Sequence, residues 1–338
     1  MPDIITPFST TGIGSTPHTS AREACELVET SFDIPFWPQL PQLSFRESMI
    51  AQYAEGMPFL RIDDKLEKIW VERDDSDELD RFYETHAEGA GVAISAAHSA
   101  GLDAFLNAFT GRRFKALKGH ITGPLTFTLG LKDAYGTSIY FDEELREIGS
   151  LILQAKARWQ VETFRQIADN VIIFIDEPIF SAIGSSSYLG VCEDEILRLL
   201  GDSVSAIEKA GGMSGIHCCG KADWQRIIKS GVRILNFDAF EYFDTLAIYS
   251  AELKDFLAHG GYLAWGIVPT SDVIAQASDE AVADSFRKKL SSLQSLTGSD
   301  LIYKQSLITP SSGAGSRTLA ETEKIFRMVR SVKKSVEG

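Results

Sequence analysis

The sequence predicts an α/β fold of the (β/α)8 TIM barrel type, formed by one domain that covers residues 1–338. From about residue 115 onward, short β-rich runs alternate with long amphipathic stretches, which is typical of a parallel sheet built from βαβ units. Two further candidate strands lie upstream and bring the total to eight, the number that a closed barrel of this type needs. No linker or shift in composition indicates a second domain.

The predicted strands are apolar runs bounded by turn-forming residues. In chain order they are Gly12–Ser15, Phe32–Gln39, Lys118–Pro124, Val171–Pro178, Gly215–Gly220, Val232–Phe240, Tyr262–Pro269 and Tyr303–Pro310. The segment Phe59–Arg81 is charged and interrupts the alternation. We therefore interpret residues 59–81 as a hairpin and loop inserted into the barrel.

The stretches between these runs have apolar residues at helical spacing and predict the outer helices. They are Asp142–Ala168, Glu193–Ala210, Asp223–Lys229, Ser250–Ala258, Asp279–Leu296 and Leu319–Val336. The last is preceded by Thr318-x-x-Glu321, a capping-box signature. The Ala-rich residues 84–110 also predict helix.

Composition and charge exclude several classes of partner. The chain has 338 residues, is 44% hydrophobic and carries a formal net charge of −14, which argues against nucleic acid and anionic membranes. The first positive charge is Arg22 and no apolar stretch precedes it, so we expect no signal peptide. Apolar runs such as Val171–Ile175 are too short to span a bilayer. The four cysteines do not make a disulfide framework, which favours a reducing compartment and a cytoplasmic location.

Polar residues collect where the predicted strands end, and a barrel gathers these ends on one face. His217 and Cys219 are two residues apart, so an extended strand turns both to one side and Cys218 to the other. Imidazole, thiolate and carboxylate are zinc ligand types, and Glu241 lies 24 residues beyond His217. The pattern suggests a metal site. A buried apolar strand end is the alternative, since free cysteines are commonly core residues.

Five motifs in order resemble one enzyme family. They are Ile13-Gly14-Ser15-x-Pro17, Thr122-Gly123-Pro124, Ile175-Asp176-Glu177-Pro178, His217-x-Cys219 with Glu241, and Pro310-Ser311-Ser312-Gly313. Together they resemble the catalytic half of cobalamin-independent methionine synthase, within the uroporphyrinogen decarboxylase/methionine synthase superfamily. The resemblance extends from about residue 10 to 335, and the family fold is the (β/α)8 barrel.

The resemblance implies zinc held by His217, Cys219 and Glu241, with a second Cys from the last strand of the barrel. Zinc would keep the substrate thiol deprotonated, and the thiolate attacks a methyl group.

The resemblance also implies a homocysteine pocket. Asp176 would hold the amino group, with Glu177 beside it, and Ile13 and Ser15 would line the pocket. A carboxylate that caps the following loop is the alternative for Asp176.

Three departures from the family affect the expected chemistry. Ser312 stands where the family has its last zinc-binding Cys, and a neutral hydroxyl is a poor zinc ligand. Val268 stands where the folate-dependent members carry a His. The N-terminal half of those enzymes, which helps to hold folate, has no counterpart in this sequence. We therefore expect a methylcobamide such as methylcobalamin as methyl donor, either free or carried by a corrinoid protein.

The leading hypothesis is a zinc-dependent methyltransferase that converts homocysteine to methionine. One alternative acceptor is coenzyme M or another small thiol. A uroporphyrinogen decarboxylase-like lyase is a second alternative, although the N-terminal Arg-x-x-Gly-Arg element of that family is missing. The third alternative is an inactive thiol- or corrinoid-binding relative.

Overall fold

The computed structural model describes residues 5–74, 77–86, 92–183, 188 and 190–337. Nine strands lie in this part of the chain. They are β1 Ser9–Thr10, β2 Leu60–Asp63, β3 Lys68–Val71, β4 Phe114–Thr122, β5 Ala168–Asp176, β6 Met213–Cys218, β7 Ile234–Phe237, β8 Tyr262–Val268 and β9 Ser306–Pro310. Seven of them form one parallel sheet in the order β1-β9-β8-β7-β6-β5-β4.

An extended segment, residues 34–39, joins the two edges of this sheet. On one side Ile34 donates its N–H to the carbonyl of Thr10 at 3.0 Å, and on the other Lys118 donates its N–H to the carbonyl of Pro35 at 2.9 Å. With this segment between β1 and β4 the sheet closes on itself. The predicted (β/α)8 barrel is therefore confirmed.

The helices surround the barrel. They are α1 Ala21–Ser31, α2 Met49–Ala54, α3 Asp77–His86, α4 Ala100–Ala108, α5 Pro124–Gly130, α6 Glu143–Phe164, α7 Glu193–Lys209, α8 Trp224–Lys229, α9 Phe243–Ala247, α10 Ser250–Ala258, α11 Asp279–Thr297, α12 Leu301–Lys304 and α13 Leu319–Glu337. The predicted capping box is present, since Glu321 donates its N–H to Thr318 Oγ1 at 3.2 Å and Thr318 donates its N–H to Glu321 Oε2 at 2.9 Å. Among the described helices, none is long and apolar enough to cross a membrane.

Besides the first strand, which is Ser9–Thr10 rather than the predicted Gly12–Ser15, two predicted elements differ from the structure. Residues 84–110 are not one helix, because residues 84–86 end α3, residues 92–99 are not helical and α4 begins at Ala100; residues 87–91 lie outside the described part. Tyr303 belongs to α12, and the last strand begins only at Ser306. Short apolar runs do not distinguish helix from strand by periodicity, which explains the second error.

The segment after α2 folds into an antiparallel hairpin. Leu60 pairs with Val71 and Asp63 with Lys68. Val71 also donates its N–H to the carbonyl of Lys132 at 2.9 Å, which fixes the hairpin to the chain that follows α5. The hairpin therefore sits beside the C-terminal end of the barrel.

The inside of the barrel is filled by apolar side chains, including Ile172, Phe174, Ile234 and Leu307. Lys118 lies among them with no exposed surface. Its Nζ donates to the carbonyl of Ile13 at 2.5 Å and lies 4.4 Å from the centre of the Phe174 ring. A polar layer thus begins above the apolar one, toward the C-terminal ends of the strands.

Candidate active site

A cavity of about 630 Å3 opens at the C-terminal ends of the strands. Six of the eight residues that the sequence predicts for the site line it, namely Ile13, Ser15, Asp176, His217, Cys219 and Ser312. They come from both ends of the chain and from β5 and β6. The barrel therefore brings these distant residues to one place, as parallel strands require.

Asp176 ends β5 and forms part of the buried floor of the cavity. In the sheet it lies between Thr122 of β4 and His217 of β6. Its side chain is 9% exposed, and its Oδ1 has no hydrogen-bond partner in the structure. Burial raises the pKa of Asp176, and the positive charge of Lys118 opposes this rise. The free oxygen is therefore available to a hydrogen-bond donor, above all a cation, that enters the cavity.

His217 is oriented by Asn236. Its Nδ1 lies 2.5 Å from Asn236 Oδ1, while the amide nitrogen of Asn236 donates to the carbonyl of Ala264 at 2.9 Å and to Thr309 Oγ1 at 2.8 Å. These two bonds fix the amide oxygen toward His217, so Nδ1 carries the proton and Nε2 keeps its lone pair. Burial lowers the pKa of His217 to about 4. The imidazole is therefore neutral near pH 7, as metal binding requires.

Cys219 follows β6 directly, and its thiol shares a hydrogen bond with Ser312. Burial raises the pKa of the Cys219 thiol, so without a metal the thiol stays protonated at neutral pH. Cys218 is fully buried on the opposite side, in the core between sheet and helices. Strand alternation, as predicted, separates the two adjacent cysteines.

Glu177 and Glu241 do not line the cavity. Glu177 is fully buried, and its two carboxylate oxygens accept the N–H groups of Leu125 and Thr126 at 2.8 Å each. It thus fixes the first turn of α5. Glu241 is exposed, and its Oε1 accepts a hydrogen bond of 3.4 Å from the Ser271 hydroxyl.

Asp238, which the sequence analysis did not single out, lies near Cys219 although it does not line the cavity. It is the first residue after β7 and is 6% exposed, and its negative charge contributes to the raised pKa of Cys219. Burial raises the pKa of Asp238 itself to about 6. Its position at the end of a strand could have indicated it, but the predicted strand ran to Phe240 and therefore included Asp238.

The donor set fits zinc in type but not in number. His217 and Cys219 offer a neutral imidazole and a thiol, and Asn236 supplies the outer hydrogen bond that metal-binding histidines ordinarily have. Yet no group of three or more His, Cys, Asp or Glu side chains among the described residues is arranged to hold a metal ion. Ser312 occupies the position of the predicted fourth ligand with a hydroxyl.

The charged side chains described around the cavity are negative. Of the described residues that line it, Asp176 and Glu67 are carboxylates and none is a lysine or an arginine. Lys118 is close, but it lies beneath the floor and is fully buried. The cavity therefore favours ligands that carry a positive charge.

Comparison with known proteins supports the fold. No family model matches the chain, and no curated protein matches it. Among solved structures, it is similar to a B12-independent methionine synthase from Shewanella sp. W3-18-1 in complex with selenomethionine, with 15% identity over 98% of both chains and a TM-score of 0.57. It also matches ZgEngAGH5_4 in complex with a cellotriose, with 11% identity over 96% of both chains and a TM-score of 0.45.

Proposed function

We propose that this protein is a methyltransferase that methylates the thiol of homocysteine to form methionine, with a methylcobamide as donor, either free or on a corrinoid protein. The observation that carries the proposal is the unpartnered carboxylate oxygen of Asp176 in the same cavity as His217 and Cys219. The similar fold of a B12-independent methionine synthase supports the same class of reaction.

Asp176 suits the amino group of the acceptor. A charge-assisted hydrogen bond between a carboxylate and an ammonium group contributes about 1.5–3 kcal/mol. Ile13 and Ser15 line the same cavity and would enclose the rest of the amino acid. In the reaction the acceptor thiol gives its proton to water, its sulfur forms a bond to the methyl carbon, and the bond from methyl to donor breaks with its electron pair left on the donor.

Zinc is part of the proposal. His217 and Cys219 would hold it, with Ser312 in the weakest position, whereas Glu241, the predicted third protein ligand, does not line the cavity. If bound there, zinc would supply a Lewis acid that lowers the pKa of a coordinated thiol.

The negative charge of the cavity favours an amino thiol over the alternative substrates. Coenzyme M carries a sulfonate and uroporphyrinogen carries several carboxylates, and both need cationic partners. The residues described around the cavity include two carboxylates and no lysine or arginine. Homocysteine also carries a carboxylate, but unlike these two compounds it has an ammonium group for Asp176, so an amino thiol is the better acceptor and a lyase acting on a polycarboxylate is disfavoured.

A donor assay combined with one substitution tests the function. Methylcobalamin should support methylation of homocysteine, and methyltetrahydrofolate should not. Asp176→Asn keeps the shape and removes the charge, so affinity for homocysteine should fall by roughly ten- to a hundredfold. Affinity for a thiol without an amino group should hardly change. Equal losses for both thiols would remove Asp176 from recognition, and absence of turnover with either donor would favour an inactive relative.

Metal analysis tests the zinc site separately. We expect Ser312→Cys to retain more zinc after dialysis than the natural protein, because it adds a thiolate ligand. Cys219→Ala in the same background should lower the occupancy. If neither substitution changes the zinc content, the metal site is not formed by these residues.

A further inference from the structure

The inserted hairpin brings a charged residue to the cavity. Glu67 lies in the turn between β2 and β3 and lines the same cavity as Asp176. Its φ is 50°, in the left-handed region that side chains other than glycine rarely adopt. The hairpin is secured by a two-point ion pair in which Arg46 Nε and Nη2 lie 2.8 and 2.7 Å from the carboxylate of Asp64.

Glu67 has cationic neighbours in sequence, but they do not line this cavity. Lys65 and Lys68 flank it on the hairpin. Lys68 and Lys132 line an adjoining cavity of about 800 Å3, whose lining also includes Glu67. On the side of the active site, the carboxylate of Glu67 at the mouth and that of Asp176 on the floor are the charges among the described lining residues.

We propose that Glu67 determines which acceptor thiols are accepted according to their charge. With Asp176 it would make the cavity favour thiols that carry an ammonium group and disfavour thiols that carry an anionic group. This inference rests on the proposed function in one respect, namely that the acceptor is a thiol. Since Glu67 is exposed to water, its effect on each charged ligand is modest and is reduced by salt.

Three thiols of similar size provide the test. Cysteamine is a cation, 2-mercaptoethanol is neutral and 2-mercaptoethanesulfonate is an anion. We would measure kcat/KM for each with methylcobalamin, at low and high salt, and normalise the charged thiols to the neutral one. The proteins are the natural chain, Glu67→Gln and Glu67→Lys. The matched controls are Glu72→Gln and Glu72→Lys, because Glu72 is exposed on the same hairpin and does not line the cavity.

The natural protein should prefer cysteamine to the sulfonate. Glu67→Gln should reduce this preference by about four- to twenty-fivefold, which corresponds to about two- to fivefold for each thiol in opposite directions. Glu67→Lys should reduce it further, and high salt should diminish both effects. The Glu72 variants should leave the preference within about twofold, since their charge change lies outside the cavity.

Two outcomes would overturn the inference: an unchanged preference in both Glu67 variants, or an equal change in the Glu72 variants. Turnover of no thiol by the natural protein would instead overturn the proposed function. In that case the same preference, measured as calorimetric dissociation constants for the three thiols, decides the inference by itself.

Discussion

The cavity has two walls that are built in different ways. One wall consists of the ends of β5 and β6, where Asp176 and His217 are fixed by neighbouring strands and are nearly buried. The other consists of loops and the inserted hairpin. There Glu67 is exposed, and Gly315 is held by two bonds of 3.2 Å, one from its N–H to Ser15 Oγ and one from Gln42 Nε2 to its carbonyl.

The two walls suit different tasks. A group that takes part in chemistry must be held within a fraction of an ångström, and strands with supporting hydrogen bonds provide this. Loops tolerate change and adjust more easily, so they suit the selection of a ligand. Substitutions behind the strand wall should therefore affect stability and rate, whereas those in the hairpin should affect mainly the choice of substrate.

The largest effect that we expect comes from Glu177, behind the strand wall. Burial raises its pKa to about 7, so the folded protein binds this proton more tightly than the unfolded chain. Between the ordinary Glu pKa and 7, the free energy of unfolding should therefore fall with rising pH, by on the order of 3 kcal/mol. Glu177→Gln should remove this contribution.

Urea unfolding at pH 5 and pH 8 measures the contribution of Glu177 to the pH dependence of stability. The difference between the pH dependences of the natural protein and Glu177→Gln isolates Glu177 from the other buried acids. An identical dependence in both proteins would mean that Glu177 does not exchange its proton in this range.

The second effect concerns Asn236, which orients His217. Asn236→Ala leaves buried polar groups without partners, so we expect a loss of about 1–3 kcal/mol in the free energy of unfolding. The freed imidazole should also lower kcat/KM by about ten- to a hundredfold. Asn170→Ala is the control, since Asn170, near the start of β5, donates an exposed bond of 2.9 Å to the carbonyl of Lys115 in β4. Equal losses in both variants would contradict a special role for Asn236.

The same contrast explains how far the sequence could predict the site. Strand alternation and the meeting of strand ends are local or topological rules. They placed His217 and Cys219 on one side and Cys218 on the other, and they brought Asp176 and Ser312 to the same cavity. The capping box before α13 was predictable for the same reason, because its two partners are three residues apart.

The predictions were incomplete where these rules do not specify the position of a residue in the fold. The chain leaves β7 at Phe237 and presents Asp238 first, whereas the predicted strand ran to Phe240. The boundary of a strand is the least certain feature of a pattern. Glu67 lies in an insertion, where neither periodicity nor the family motifs indicate which residue faces the cavity. A side chain brought by a loop becomes visible only in the folded structure.

The smallest effect that we expect comes from the hairpin. Arg46→Ala removes the ion pair with Asp64, which is exposed, so the free energy of unfolding should fall by less than in Asn236→Ala. The preference for cationic over anionic thiols should nevertheless decrease, because the hairpin then holds Glu67 less firmly at the mouth of the cavity. Arg113→Ala is the control, since it breaks an exposed ion pair of 2.7 Å with Asp169 near the other end of the barrel.

Urea unfolding and the three-thiol assay measure the two effects of Arg46→Ala. A stability loss as large as that of Asn236→Ala, with no change in preference, would show that the hairpin supports the fold in the same way as the strand wall, and the contrast between the two walls would be wrong.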